Sequence, residues 1–394
     1  MKTVGIATTF RQSNWGSVLQ AYATQRVVDN LGYKSYVIDY KYPNEYHLGK
    51  QKTVQYDKVR SRFWKWKSSL KHKIGLMLRV RPKSKMALIE EFIKKEINVT
   101  RFYPSYEYIH AYPPVFDIYL SGSDQIWNPN TMAGDMTYMF DYAPYNATRI
   151  SFASSFSCNH INEEYKQRYI DCLSKFKSIS VREANGVKIV KDLTGKAAKV
   201  VLDPTLMIDA NEWSRLSEKA IRHPLPQEYI LVYTLAYTYN PLSSMACVLE
   251  ALQSKYNMPV IALNRLPDDF NGSVFSLSKR YPLGIYEFLF LMKNASIVAT
   301  SSFHGTAFSI NFGKPFITLI KGNADADDRI ITLINNLGLS SNCVTAESDI
   351  RTERLNPYYD VKKVQRTLAA LRKDSLSFIK SALMQNELYQ SKNN

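Results

Sequence analysis

A chain of 394 residues is long enough for two ordinary domains of roughly 150–200 residues each. Its 45% hydrophobic content excludes a disordered polypeptide, and the lack of any apolar run of about 18 residues excludes a membrane-spanning helix. A formal charge of +16 asks for an acidic partner: nucleic acid, an anionic membrane surface or an anionic small substrate.

In chain order, short β-rich runs alternate with helical runs. The opening "MKTVGIATTFRQSNWG" is too short for a signal peptide core and reads as a first strand, Thr3–Thr8. Further strands are expected at Ser35–Tyr40, Phe116–Ser121, Ile150–Ser155, Ser178–Val181 and Lys199–Leu202. The expected helices between them are Trp15–Leu31, Asn162–Phe176 and Glu183–Leu193. The two prolines of "RHPLPQE", residues 222–228, mark a boundary. A second series follows: strand "YILVYTL", helix Pro241–Tyr256, strand "MPVIAL", helix Ile285–Lys293, strand "ASIVATS", a helix after His304, strand "PFITLI" and helix Asp328–Leu337. Such alternation predicts an α/β protein with two Rossmann-like domains facing a cleft, spanning residues 1–221 and 229–355. A charged helical tail over 356–394 follows them.

One stretch breaks the alternation, a basic helical insertion expected at about 50–98. Residues 60–85 carry ten Lys or Arg and no Asp or Glu. Phe63, Trp66, Leu70, Ile74, Met77 and Leu78 fall on one helical stripe opposite the basic face. Aromatic residues beside cations suit a helix lying in a membrane interface, with Phe63, Trp64, Lys65, Trp66, Lys67, Lys71 and Lys73 as the contacts. The alternatives are an ordinary packed surface helix and a nucleic-acid arm, although no recognition motif accompanies it.

The chemistry-bearing stretches sit where strands should end. Asn14 is a helix N-cap, and beside it Trp15 and Gly16 open a helix whose free amides suit an anion. Plain capping explains the same residues. In "LSGSDQIWNP", a strand delivers Ser123 and Asp124, and Asp124 can hold a sugar hydroxyl or act as a base. A Gly-Ser-Asp turn is also ordinary turn chemistry. In "SISVREAN", Arg182 ends a strand and suits bidentate binding of phosphate or carboxylate, or else an ion pair with a surface acid. In "TSSFHGTAFSI", Ser301, Ser302 and Gly305 surround His304 at a strand-to-helix junction, where an imidazole can move a proton or contact phosphate.

Nucleotide-binding glycine motifs, GxSxG, HExxH and EF-hand loops are all missing. The "DAD" at Asp325–Asp327 matches a metal-dependent DxD only as a tripeptide, so no metal site is expected. The four cysteines form no CxxC and read as small thiols of a reducing cytoplasm.

Together, "NWGSVLQAYATQ", "GSDQIWNP", "VREANGVKIV", "VLDPTLM" and "ATSSFHGTAFSINFGKPF" resemble the polysaccharide pyruvyl transferase family, in order, over roughly residues 1–340. The resemblance implies a GT-B-like fold and transfer of pyruvate from phosphoenolpyruvate to two sugar hydroxyls as a cyclic ketal. No cofactor is implied beyond this co-substrate. It matches His304 to the family histidine and Arg182 to the family arginine. Some members carry an arginine where Ser302 stands, so either Arg329, Arg265 or Lys321 replaces that cation or the donor differs. The implied acceptor is a galactose-type residue on a lipid diphosphate, worked on at the cytoplasmic membrane face. The competing readings are a glycosyltransferase using a nucleotide sugar and a non-enzymatic basic scaffold; no specific nucleic acid is expected.

Overall fold

A computed structural model describes residues 1–50, 83–236, 239–277, 282–322, 328–346, 350 and 355–390. The first lobe is a six-stranded parallel sheet of β1 (Thr3–Ala7), β2 (Lys34–Tyr40), β3 (Val99–Tyr103), β4 (Ile118–Ser121), β5 (Thr148–Ser151) and β6 (Phe176–Ser178). Its order is β3-β2-β1-β4-β5-β6. Then β7 (Ser180–Val181) and β8 (Lys199–Val200) pair as a separate parallel ribbon. The second lobe contains β9 (Ile230–Tyr233), β10 (Val260–Ala262), β11 (Ile297–Thr300), β12 (Phe316–Ile320) and β13 (Cys343–Thr345), in the order β10-β9-β11-β12-β13. Both orders are doubly wound. Each reverses direction once, between β1 and β4 in the first sheet and between β9 and β11 in the second. The fold is therefore the two-lobed α/β architecture expected from the strand–helix alternation, and the second sheet begins two residues beyond the 222–228 segment.

The strands read as continuous apolar runs because helices cover both faces of each sheet. Val4, Ile6, Val18 and Leu19 of the first lobe share one buried cluster with Leu231, Phe288, Phe303 and Phe308 of the second. Separate clusters fill the outer face of each sheet, around Trp127, Phe140 and Tyr169 in one lobe and Val248, Val260 and Ile317 in the other. The helix Trp15–Asn30 lies in the shared middle layer and is buried on nearly every side, which explains why its apolar residues form no single stripe. Trp15 fastens it across the lobes. Its indole N–H donates to the Leu283 carbonyl at 3.1 Å, and its ring stacks on Phe288 at 5.4 Å.

The expected tail is the helix Val361–Gln390. It returns to the first lobe, where Val364, Leu368, Ile379 and Leu383 enter the shared cluster and Ser375 accepts from the Leu202 amide at 3.0 Å. The basic segment, with Phe63, Trp64, Lys65, Trp66, Lys67, Lys71 and Lys73, lies outside the described residues, as does Asp325–Asp327. Of the expected insertion, the described part folds as helix Lys85–Glu96 and strand β3. No described helix is long and apolar enough to cross a membrane.

Candidate active site

Ligands of doubly wound sheets sit beyond the strand carboxyl ends, at the point where the order reverses. Here the two reversal points face one another. Beyond β1 and β4 come Thr9, Asn14, Ser17 and Asp124; beyond β9 and β11 come Leu235, Ser301, Ser302 and His304. All of them line one cavity of about 320 Å³, together with Tyr42, Gln125, Thr131, Met132, Tyr239 and Arg329.

His304 occupies the first turn of helix Phe303–Asn311. Ser302 caps that helix, its hydroxyl accepting from the Gly305 amide at 3.3 Å. Gly305 has no room for a side chain, since a Cβ there would lie 2.2 Å from Thr300 Oγ1. The hydroxyl of Ser301 bridges Leu235, accepting from its amide at 2.9 Å and donating to its carbonyl at 3.1 Å. Across the lobes, the first helix arrives end-on. Asn14 caps it by accepting from the Gly16 amide at 2.9 Å and also accepts from the Tyr233 hydroxyl at 3.2 Å. A Cβ on Gly16 would lie 2.3 Å from His304 Nδ1, so this glycine lets the imidazole in.

Burial pushes the His304 pKa below its ordinary value; Asp203 and Asp124 pull it up, and Arg182 and Arg329 push it further down. That lowering favours the neutral imidazole near pH 7. Its Nε2 is buried and has no hydrogen-bond partner among the described residues.

Asp124 has a left-handed backbone with φ 77°, an uncommon conformation outside glycine that aims its carboxylate across the strand ends. It accepts from Ser17 Oγ at 2.7 Å, Thr9 Oγ1 at 3.2 Å and the Gln125 amide at 2.9 Å. Burial opposes its charge, but Arg182, His304 and the Ser17 hydroxyl outweigh burial and hold the carboxyl below its usual range. Such a group is a firm anion and a weak base. Arg329 lines the cavity from helix Asp328–Leu337. With its amide oxygen turned to the guanidinium, Gln125 accepts from Arg329 Nη2 at 3.0 Å.

Two expectations need correction. Arg182 does not face the cavity. It is buried behind it, donating from Nη1 to Asp203 Oδ2 at 2.8 Å with its guanidinium 4.3 Å from the centre of the Phe303 ring. The pairing of β7 with β8 turns this strand end inward toward the terminal helix. Ser123 is likewise buried, its hydroxyl donating to Asp203 at 2.7 Å. Of the substitute cations, Arg329 reaches the cavity, whereas Arg265 is exposed and pairs with Asp268. Lys321 is not among the cavity-lining residues.

Sequence reasoning also missed two residues. Asp203 takes both buried side chains just named and lies 3.8 Å from His304 Nε2. Tyr42, just past β2, lines the cavity with its hydroxyl donated to the Thr131 carbonyl at 3.0 Å. The signal for Asp203 was its place before a proline at the end of a strand. Tyr42 had no comparable signal.

The sequence model of the family described as polysaccharide pyruvyl transferase matches residues 14–320. The chain belongs to that family. The matched span begins at the Asn14 cap and runs through Asp124, Asp203 and His304 to the end of β12, so this transferase family membership covers both walls of the cavity. No curated protein matches the chain. Among solved structures, the fold is similar to UDP-GlcNAc 2-epimerase from Neisseria meningitidis bound to UDP-GlcNAc, with a TM-score of 0.46 at 10% identity over 98% of this chain and 100% of that one. It is also similar to UDP-GlcNAc 2-epimerase from Methanocaldococcus jannaschii, with a TM-score of 0.44 at 12% identity over 94% and 99%. The glycotransferase of kitacinnamycin gives a TM-score of 0.44 at 11% identity over 99% and 98%.

Proposed function

We propose that this family member transfers the pyruvyl group of phosphoenolpyruvate to two hydroxyls of one sugar, giving a cyclic ketal and inorganic phosphate. One observation carries the reading: the cavity where both sheets reverse holds His304 and Asp124, both within the span that matches the family, together with Arg329, which follows that span. About 320 Å³ falls at the small end of ligand pockets and suits a three-carbon donor beside a single sugar ring.

In this reading the donor's phosphate and carboxylate lie against Arg329 and the amino end of the His304 helix. Arrival of that negative charge raises the proton affinity of His304, which burial had lowered. The imidazolium gives its proton to the methylene carbon, leaving an oxocarbenium-like centre. The first sugar hydroxyl adds to that centre and passes its proton back to the His304 imidazole. The carbon–oxygen bond to phosphate then breaks, and the second hydroxyl adds and loses its proton to close the ring. The departing inorganic phosphate is a stronger base than the depressed Asp124 carboxylate and takes the second hydroxyl's proton. Asp124 instead orients the acceptor hydroxyls and offsets charge on His304. Tyr42, Thr131 and Met132 form the uncharged wall on the first lobe.

The test is donor consumption. Protein incubated with phosphoenolpyruvate and a panel of aryl or lipid-linked galactosides should release inorganic phosphate only when an acceptor is present, and should do so in excess chelator. Release of nucleotide from a nucleotide sugar, or a strict need for magnesium, overturns the reading and points to a glycosyltransferase.

The same reading places the enzyme at the inner membrane face, on a lipid-diphosphate-linked acceptor. Four changes, Lys65→Glu, Lys67→Glu, Lys71→Glu and Lys73→Glu, should together abolish binding to anionic liposomes and spare turnover of a short soluble acceptor. Undiminished liposome binding by that variant removes the membrane role.

A further inference from the structure

Behind the cavity, the Asp203 carboxylate joins more elements than any catalytic step above requires. It follows β8 and caps helix Pro204–Met207 through the Thr205 amide at 2.9 Å. The Thr205 hydroxyl donates to the same oxygen at 2.6 Å. Its other oxygen accepts from Ser123 Oγ at 2.7 Å and Arg182 Nη1 at 2.8 Å. His304 Nε2 stands 3.8 Å from that second oxygen, beyond hydrogen-bond length but within ion-pair reach. Arg182 Nε and Nη2, like His304 Nε2, are buried without a hydrogen-bond partner among the described residues.

That spacing is fixed from the far end of the same helix. Asn311, seven residues beyond His304, donates to the Thr205 carbonyl at 2.9 Å and the Ile208 carbonyl at 2.8 Å. Arg372 of the terminal helix locks the tie, donating to the Leu206 carbonyl at 2.6 Å and to Asn311 Oδ1 at 2.9 Å. The His304 helix cannot slide past Asp203 without breaking these buried bonds.

We propose that Asp203 is a positioning residue: it pins Arg182 behind the cavity and holds a negative charge at fixed distance from His304, so that the imidazole can carry a proton while buried. Four charged groups act on His304. Asp203 and Arg182 stand behind it, Asp124 faces it from the first lobe, and Arg329 from helix Asp328–Leu337. Asp203 is itself held ionised. Burial opposes its charge, but His304, Arg182 and the hydroxyl donors bring its pKa to about 2. It stays an anion across the working pH range, so any change in the charge near His304 comes from His304 or from the ligand. The kinetic part of this proposal rests on the transfer reading; the structural part does not.

The test is the titration of His304 in the full chain, followed by NMR of labelled histidine, with His304→Gln assigning the signal. Asp203→Asn removes the anion and leaves Arg182 in place, so the midpoint should fall by about one pH unit, a tenfold loss of proton affinity. Ser123→Ala keeps the charge and removes one donor from the oxygen nearest His304, so it should move the midpoint upward. It also serves should Asp203→Asn not fold. A purely structural role moves neither, and an unchanged midpoint in the folded variants overturns the proposal. Phosphoenolpyruvate-dependent turnover of the wild type is measured separately. If the midpoint shifts and there is no turnover, Asp203 keeps its place and the reaction is removed. Turnover with an immovable midpoint does the reverse.

Discussion

His304→Gln lowers kcat by about 100- to 10,000-fold and leaves the fold intact, because one positioned proton donor is worth about that factor. Glutamine keeps a polar side chain of similar reach but has no titratable proton to transfer at any working pH. The imidazole is buried at a junction that other residues already hold. Ser302 caps its helix, Gly305 packs on Thr300, and Asn311 ties the helix to the 205–208 segment. Losing the ring therefore costs chemistry before it costs structure. Steady-state rates with phosphoenolpyruvate, alongside circular dichroism and thermal unfolding, separate the two. A folded variant with near wild-type kcat takes His304 out of the mechanism.

Gly16→Ala produces the second large loss, at a residue with no chemistry of its own. The added carbon would lie 2.3 Å from His304 Nδ1 and 2.4 Å from its Cγ. Neither partner can yield easily. Helix Trp15–Asn30 is buried on nearly all sides and is anchored by Asn14 and Trp15 to Tyr233 and Leu283 of the second lobe. Overpacking of this kind costs about 1–3 kcal/mol. Relief comes by pushing the imidazole or parting the lobes, and a shift of about 1 Å at a reacting group costs on the order of 100-fold in rate. The expected outcome is a lowered melting temperature and a kcat about 100-fold down. Unchanged stability and rate would show that the lobes have slack at this contact.

Most of the fold was legible in the sequence because both sheets are parallel and buried. Their central strands are short unbroken apolar runs, and polar clusters stand where those runs end. Elements at the edges were not legible. Strand β3 follows the basic segment and keeps Arg101 and Phe102 exposed, so "VTRFY" shows no buried run. Strand β13 is a short edge strand of half-buried residues. Within the site, Asn14, Gly16, Asp124, Ser301, Ser302, Gly305 and His304 are legible from their positions at strand and helix ends, Arg329 only as a substitute for a cation the resemblance implies, and the structure gathers them at or beside one cavity. The strand end that carries Arg182 is legible in the sequence, but the direction of its side chain is not. The way a strand's last residue points depends on which strand it pairs with, and the β7–β8 ribbon leaves no mark in a local pattern. Asp203 carries no local mark of its role, because an aspartate before proline is the commonplace start of a helix, and only the tertiary fold brings Ser123, Arg182 and His304 around it.

The most direct measurement is the mass of the sugar product after incubation with phosphoenolpyruvate and a galactoside. The account predicts a gain of one pyruvic acid less one water with the wild-type protein and none with His304→Gln. An acceptor left unmodified by the wild type across the panel, or modified equally by both proteins, would contradict it.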